Sequence, residues 1–425
     1  MADENFLADD FVRQLMSVGE VDLMVGLPTH NSESSVGEVI ASIDKAFQEK
    51  YKRERVVIVG VDGGSTDGTC DVIQKADIVA HQNSRGITSL RTVHRIMTKY
   101  DSVPVPGIAL RTLLATADLL RAKACAIISP NSVNVTPEWV ENLLEPIYRQ
   151  GLDFVAPIYS RHKYDGLLAR ILLYPMTRAT LGSRVYELQS DEFAFSGKLA
   201  SYCLNQEVWH NEAIRDAPQT WMAITAICND FKYGQSFLGP KVRPANVPAP
   251  DLVTVVRQVV SALFWCLESE SSVWIDKPTA APAASTSGVN GHHWLEGSDQ
   301  ANPTRGWEMF RTGITELTPV LQSIVTKDTL SEIEKTATLE VPTFHIPDEL
   351  WVKALYEFAA SYHWDVLSRD HVVQALVPLY RGKISSYLIR HQDSSFEQID
   401  AHAEALCQEF EKQRPYLIER WKVKS

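Results

Sequence analysis

The sequence predicts an α/β fold with a mostly parallel sheet, followed by an α-helical C-terminal domain. Three observations predict it. Two short apolar runs, Val21 to Leu27 and Arg55 to Val61, each end in a polar loop. Between them, Val36, Val39, Ile40, Ile43 and Phe47 recur at helical spacing, which makes a strand-helix-strand unit. From Leu252 onward the pattern changes to long amphipathic stretches.

Taken in order, residues 1–20 read as an N-terminal extension and 21–250 as the α/β domain. The first apolar run leads into Pro28-Thr29-His30-Asn31, and the second into Asp62-Gly63-Gly64-Ser65. Both runs are nearly all apolar, as expected of parallel strands buried on both faces. A helix is expected from Gly107 to Arg121, then a strand from Ala124 to Ile128 that opens into Ser129 to Ser132. Ligands of such sheets bind beyond the carboxyl ends of the strands, so these three loops are expected on one rim. Residues 251–425 read as a helical domain with a loop at 276–306 rich in Pro, Ala, Ser, Thr and Gly. Within that domain, Leu350, Trp351, Ala354, Leu355, Phe358, Ala359 and Tyr362 form one stripe at helical spacing. No strand-like alternation stands out in this last third.

With 425 residues, 45% of them hydrophobic, the chain can build well-packed cores, and a charged fraction of 22% argues against general disorder. The formal net charge of −12 argues against binding nucleic acid or an anionic membrane through the protein as a whole. A local basic cleft remains compatible with that total. The six cysteines are widely spaced without a C-x-x-C pair, which favours buried, reduced thiols over a zinc site or a disulfide framework. The acidic start lacks the pattern of a signal peptide, and no stretch approaches the ~20 apolar residues of a membrane span. The stretch Leu252 to Leu267 carries Arg257 and Gln258 and reads as a buried helix. The expectation is therefore a cytoplasmic protein without a membrane span.

The turn Asp62-Gly63-Gly64-Ser65-Thr66-Asp67-Gly68-Thr69 admits two readings. An acid after a buried strand can accept hydrogen bonds from a uracil or guanine ring, or from a ribose. It can also be a plain strand-to-helix turn, with Ser65 or Thr66 capping the helix. The adjacent His292-His293 could bind metal or be solvated, and Trp351, Tyr356 and Phe358 could form a sugar platform or core.

Leu27-Pro28-Thr29-His30-Asn31 together with Asp62 to Thr69 resembles the paired nucleotide loops of GT-A-fold glycosyltransferases, P-T-x-N and D-D-G-S-T-D-G-T, with Val61 in place of the first acid. Tyr164-Asp165-Gly166, Tyr174-Pro175, Glu192-Phe193-Ala194-Phe195-Ser196-Gly197, Trp221-Met222, Ala360-Ser361-Tyr362-His363 and Pro378-Leu379-Tyr380 resemble the mannosylglycerate synthase-like branch, which is retaining. The resemblance implies a GT-A-like, Rossmann-like domain and transfer of a sugar from a nucleoside diphosphate sugar to a small polar acceptor. It implies nucleotide or sugar contacts at Pro28, Thr29, His30, Asn31, Asp62 and Gly63, and sugar or acceptor contacts at Glu192 and His363.

It also implies a divalent Mg or Mn ion on an Asp-x-Asp loop, which would neutralise the leaving diphosphate. Here that loop is Ser129-Pro130-Asn131, so Ser129 and Asn131 stand where the acids are expected. The family lysine that faces a phosphate falls near Val105-Pro106-Gly107, with Arg111 one turn on, and a late metal-ligating histidine is replaced by Arg243 after Lys241. Two readings stay open. In one, Arg111, Lys241 and Arg243 clamp the diphosphate and transfer is metal-independent. In the other, the chain is a catalytically inactive, nucleotide-binding or partner protein. A homo-oligomer is compatible with both.

Overall fold

The computed structural model describes residues 6–74, 93–100, 104–242, 251–276, 285–287, 293–295 and 302–423. Its contacts divide it into two units. The first comprises residues 1–159, 187–249 and 284–291, and the second residues 160–186, 250–283 and 292–425. Residues 160–186 thus cluster with the helical unit rather than with the α/β domain that a single cut at 250 would give.

The first unit is built on a mixed, mostly parallel sheet. In chain order its strands are β1 (Leu23–Thr29), β2 (Val56–Asp62), β3 (His94–Lys99), β4 (Ala124–Ile127), β5 (Phe154–Arg161), β6 (Phe193–Ser196), β7 (Tyr233–Pro240) and β8 (Ser285–Ser287). They lie side by side as β3-β2-β1-β4-β6-β5-β7-β8. The β1–β2, β1–β4 and β2–β3 ladders are parallel, and β6 runs antiparallel to both β4 and β5. Every residue of β2 is buried, which an apolar run such as VVIVGV permits only with both faces covered. Leu23, Val25 and Leu27 share a core with Val36, Ile40 and Phe47 of the helix Glu33–Lys50, and with Trp139 and Leu143 of the helix Pro137–Tyr148. On the other face, a Cβ at Gly26 would come 2.8 Å from Leu113 of the helix Pro106–Leu119. That helix therefore approaches β1 closely only because residue 26 is glycine.

Asp9–Val18 is an amphipathic helix that buries Phe11 and Leu15. The expected strands at Val21, Arg55 and Ala124 and the helix at Gly107 are present with ends shifted by a few residues, as fraying at element ends usually produces.

The second unit is helical. Its long helices are Leu252–Ser269, Pro303–Ile324, Asp348–His363, Arg369–Arg390 and Phe396–Lys422. Leu252–Ser269 buries Val256, Val260 and Leu263, while Arg257 is half-buried and lies 3.6 Å from Asp370. Trp351, Tyr356 and Phe358 have 0% exposure, so the aromatic stripe is core and not a sugar platform. Trp351 also donates to the carbonyl of Ile171, within a π-helical turn at Ala169–Leu173 that leaves carbonyls without their usual partners.

The segment at 276–306 is not wholly loop. Ser285–Ser287 is a short strand beside β7, His293–Trp294 pairs with Ser160 and Arg161, and a helix starts at Pro303. Asn302 caps that helix by accepting from Thr304. Most of the remaining segment, including His292, lies outside the described residues. None of the six cysteines is joined in a disulfide.

Candidate functional site

The strand order changes direction at β1. The chain adds β2 and β3 on one side of it, then crosses to place β4 on the other. Sheets of this kind open a crevice beyond the carboxyl ends at that switch point. A cavity of about 100 Å³ lies there, lined by Pro28 at the end of β1, Ile127 at the end of β4, Leu110, Phe193, Asp191 and Gln219 among others.

The first two loops are tied into one rim. Thr29 and Asp62 are register partners at the ends of β1 and β2. The Asp62 carboxylate is fully buried and accepts from Thr29 Oγ1 at 3.1 Å, Ser65 N at 2.9 Å and Ser65 Oγ at 2.5 Å. Burial alone would raise its pKa, but these donors reverse the sign and hold it below the usual carboxylate value. Asp62 is therefore an ionised acceptor whose described donors come from its own loops. It shapes the rim, as the reading of a strand-to-helix turn expects. Gly64 makes the turn at φ +73°, where a side chain would be strained. The helix that follows is capped by Asp67, which accepts from Thr69 N, and not by Ser65 or Thr66.

Asn31, at φ +48°, accepts from Thr66 N at 2.9 Å through its side chain, and its own N–H donates to Ser65 Oγ. Asparagine tolerates this left-handed backbone better than most residues. His30 Nδ1 lies 3.0 Å from the Gly63 carbonyl, and its Nε2 lies 3.1 Å from the Asn31 amide nitrogen. A carbonyl only accepts, so the proton sits on Nδ1 and Nε2 accepts from Asn31. His30, Asn31 and Thr66 are exposed polar groups of this rim.

The third loop is held differently. Ser132 donates to Glu192 at 2.7 Å, and Asn134 joins the loop to the end of β7 through Val242 N and the Pro240 carbonyl. Glu192 has 0% exposure and also accepts from Tyr159 at 2.5 Å and from Lys241 Nζ at 2.6 Å. Lys241 reaches Asp191 as well, at 3.2 Å, and the Asp191 side chain is 47% exposed. Burial and the adjacent Glu192 carboxylate push the Tyr159 phenol well above its usual value, so it stays protonated and donates. Glu192, expected as a sugar or acceptor contact, is thus an internal strut, and its half-exposed neighbour Asp191 lines the cavity instead.

The remaining expected residues scatter. Gly107 serves packing, because a Cβ there would come 2.6 Å from Arg215 Cα. The Arg111 guanidinium stacks over the Phe6 ring at 4.2 Å. Arg243 lies outside the described residues. His363 belongs to the helical unit, stacked on Trp421 at a centroid distance of 4.4 Å and 3.4 Å from Glu268. Ser129 and Asn131 remain half-buried at the rim, with Asn131 N donating to Ser129 Oγ at 3.3 Å.

Ser132 belongs to the expected third loop, but its bond to Glu192, and the parts played by Asn134 and Tyr159, are not visible in the sequence. A serine, an asparagine and a strand tyrosine carry no spacing that marks them, and only the fold brings them to Glu192 and β7. Hard divalent cations favour carboxylate oxygens. The third loop has none, and both nearby carboxylates hold the Lys241 ammonium, so this donor set does not fit a divalent ion.

No family model and no curated protein sequence matches the chain. Among solved structures, glucosyl-3-phosphoglycerate synthase from Mycobacterium tuberculosis in complex with Mn2+, UDP and glucosyl-3-phosphoglycerate aligns with a TM-score of 0.42 at 20% identity, over 60% of this chain and 83% of that one. The same enzyme with Mn2+, UDP-glucose and phosphoglyceric acid aligns with a TM-score of 0.41 at 20% identity, over 62% and 84%. Likeness at this level does not assign a function.

Proposed function

We propose that the α/β unit binds a nucleoside diphosphate sugar at the β1–β2–β4 rim and transfers the sugar to a small polar acceptor. One observation carries this reading: the loops resembling P-T-x-N and D-D-G-S-T-D-G-T are hydrogen-bonded into a single preformed rim beside the switch-point cavity. Preorganised loops lower the ordering cost of binding. Asp62 contributes by fixing the turn, while the exposed His30, Asn31 and Thr66 side chains are placed to meet a nucleotide. The apolar lining of Leu110 and Phe193 suits the face of a sugar ring, and Asp191 and Gln219 suit its hydroxyls.

A nucleotide-binding protein without catalysis is the second reading. It is favoured by the engagement of Asp191 and Glu192 with Lys241, which sets both acids against an ammonium rather than a reacting group. The two readings separate in a turnover assay. Uridine, guanosine and adenosine diphosphate sugars are incubated with pooled small hydroxy acids and sugars, and release of the nucleoside diphosphate is followed. Acceptor-dependent release with one donor supports transfer. Binding without release supports the second reading, and the absence of both removes the proposal.

A further inference from the structure

The resemblance implies a divalent cation at this rim, and the residues present do not suit one. Glu192 is fully buried, and an isolated buried carboxylate is strongly unfavourable unless a cation and hydrogen-bond donors compensate it. Ser132 and Tyr159 supply hydroxyl donors, and Lys241 supplies the positive charge at 2.6 Å. The same ammonium holds Asp191 at 3.2 Å, and its side chain is only 11% exposed. Lys241 follows β7 directly, and the backbone around it is fixed to the third loop through Val242 N–H to Asn134 and Val133 N–H to the Val242 carbonyl. The ammonium is thus a built element of the rim and not a surface charge that happens to lie nearby.

We infer that Lys241 is the resident cation of this rim: its ammonium fills the place between Glu192 and Asp191 that a divalent ion would need, and ligand binding there is independent of Mg and Mn. A dication and an ammonium cannot share two carboxylates at these distances, because like charges repel strongly where water is excluded. Removing the ammonium while keeping the carboxylates leaves an oxygen-rich site of net negative charge, the composition that hard dications select. The inference rests on the proposed function only for its nucleotide arm. The metal arm stands alone.

The test uses the full chain with MnCl2 alone, read by the loss of free Mn2+ signal in electron paramagnetic resonance and by the melting temperature. Wild type and Lys241→Arg, which keeps the charge, are expected to show no stoichiometric Mn2+ binding. Lys241→Met, which keeps the stem, is expected to bind one Mn2+ at least roughly tenfold more tightly than wild type. Folded Lys241→Met that binds no better than wild type overturns the inference. Should that variant not fold, the wild-type protein decides: one-to-one Mn2+ binding that Glu192→Gln abolishes overturns the inference, and its absence upholds it. In the second arm, UDP, GDP and ADP are added with EDTA or with Mn2+. A melting shift unchanged by EDTA supports the inference, and one that needs Mn2+ overturns it. No shift with any nucleotide removes the proposed function, and the metal arm still decides the inference.

Discussion

Both units bury charge, but they use it differently. In the α/β unit, Asp62 and the Glu192–Lys241 pair lie at strand ends and lock loops to one another. In the helical unit, the charges tie helix to helix. Asp348 accepts from Lys383 at 2.6 Å and from His402 at 3.0 Å, and His402 meets His391 at 2.6 Å. Arg178 grips Glu404 at 2.6 Å and Glu411 at 2.8 Å. Ser394 Oγ lies 3.1 Å from His391 Nδ1, and His402 Nε2 sits between the Asp348 carboxylate and Arg390 Nη1, each at 3.0 Å. A buried parallel sheet satisfies its own backbone and has little use for charge except at its ends. A bundle of helices buries side chains along their whole length, and buried charge appears wherever long polar side chains meet. Buried charge therefore gathers at the site in the first unit, apart from the Arg95–Asp44 pair that ties β3 to the helix Glu33–Lys50, and marks only architecture in the second.

That contrast can be broken by mutation. The largest effect is expected from Asp348→Asn, which leaves the buried Lys383 ammonium without its carboxylate, at a cost of about 3–5 kcal/mol in urea denaturation. Ligand binding at the rim should be unchanged by it, and a matching loss of nucleotide affinity would contradict the division of roles. Glu192→Gln is expected to cost about 2–3 kcal/mol, because Asp191 still faces Lys241 and the amide keeps some hydrogen bonds. Its signature is faster amide exchange at 129–134, and unchanged exchange there would remove Glu192 as the strut of the third loop.

The pH response should also differ between the units. Burial, with help from His402 and Arg390, lowers the His391 pKa from 6.5 to about 3. The unfolded chain then binds the proton more readily, so stability is intact above pH 6.5 and is lost as the pH falls from there toward 3. Asp62 is held below 3.8, so its contribution is lost only in more acid solution, as the pH falls through its lowered value. Amide exchange at 391–402 should thus rise between pH 6.5 and 4, while the turn at 62–66 stays protected. Simultaneous loss would show that His391 does not set the acid limit of the helical unit. The smallest effect is expected from Gly64→Ala, about 1–2 kcal/mol for a side chain forced into positive φ. A neutral result there would mean that the turn relaxes without strain.

The sequence reveals the rim more readily than its chemistry. β1, β2 and β4 are legible because a parallel strand covered on both faces must be a continuous apolar run, and the loops that end those runs carry the turn residues. β3, β5, β6 and β7 are not legible in the same way. β6 has only four residues, and β7, YGQSFLGP, mixes polar and glycine positions because part of it is half-buried. Among site residues, Asp62 and Glu192 lie near the rim and are held there by internal donors. Sequence shows an acid but not its partners, and Tyr159 and Ser132 reach Glu192 from 33 and 60 residues away. Arg111 lies on the expected helix, but its guanidinium is turned to Phe6, a choice of face that spacing alone does not fix.

The central claim, a preformed nucleotide rim at the switch point, is tested most directly by hydrogen exchange on the full chain. Exchange is recorded with and without a saturating nucleoside diphosphate sugar. The account predicts slowed exchange in three segments together, 28–31, 62–66 and 129–132, with the helical histidine chain at 391–402 unaffected. Protection confined to other segments, or none with uridine, guanosine or adenosine donors, would contradict it.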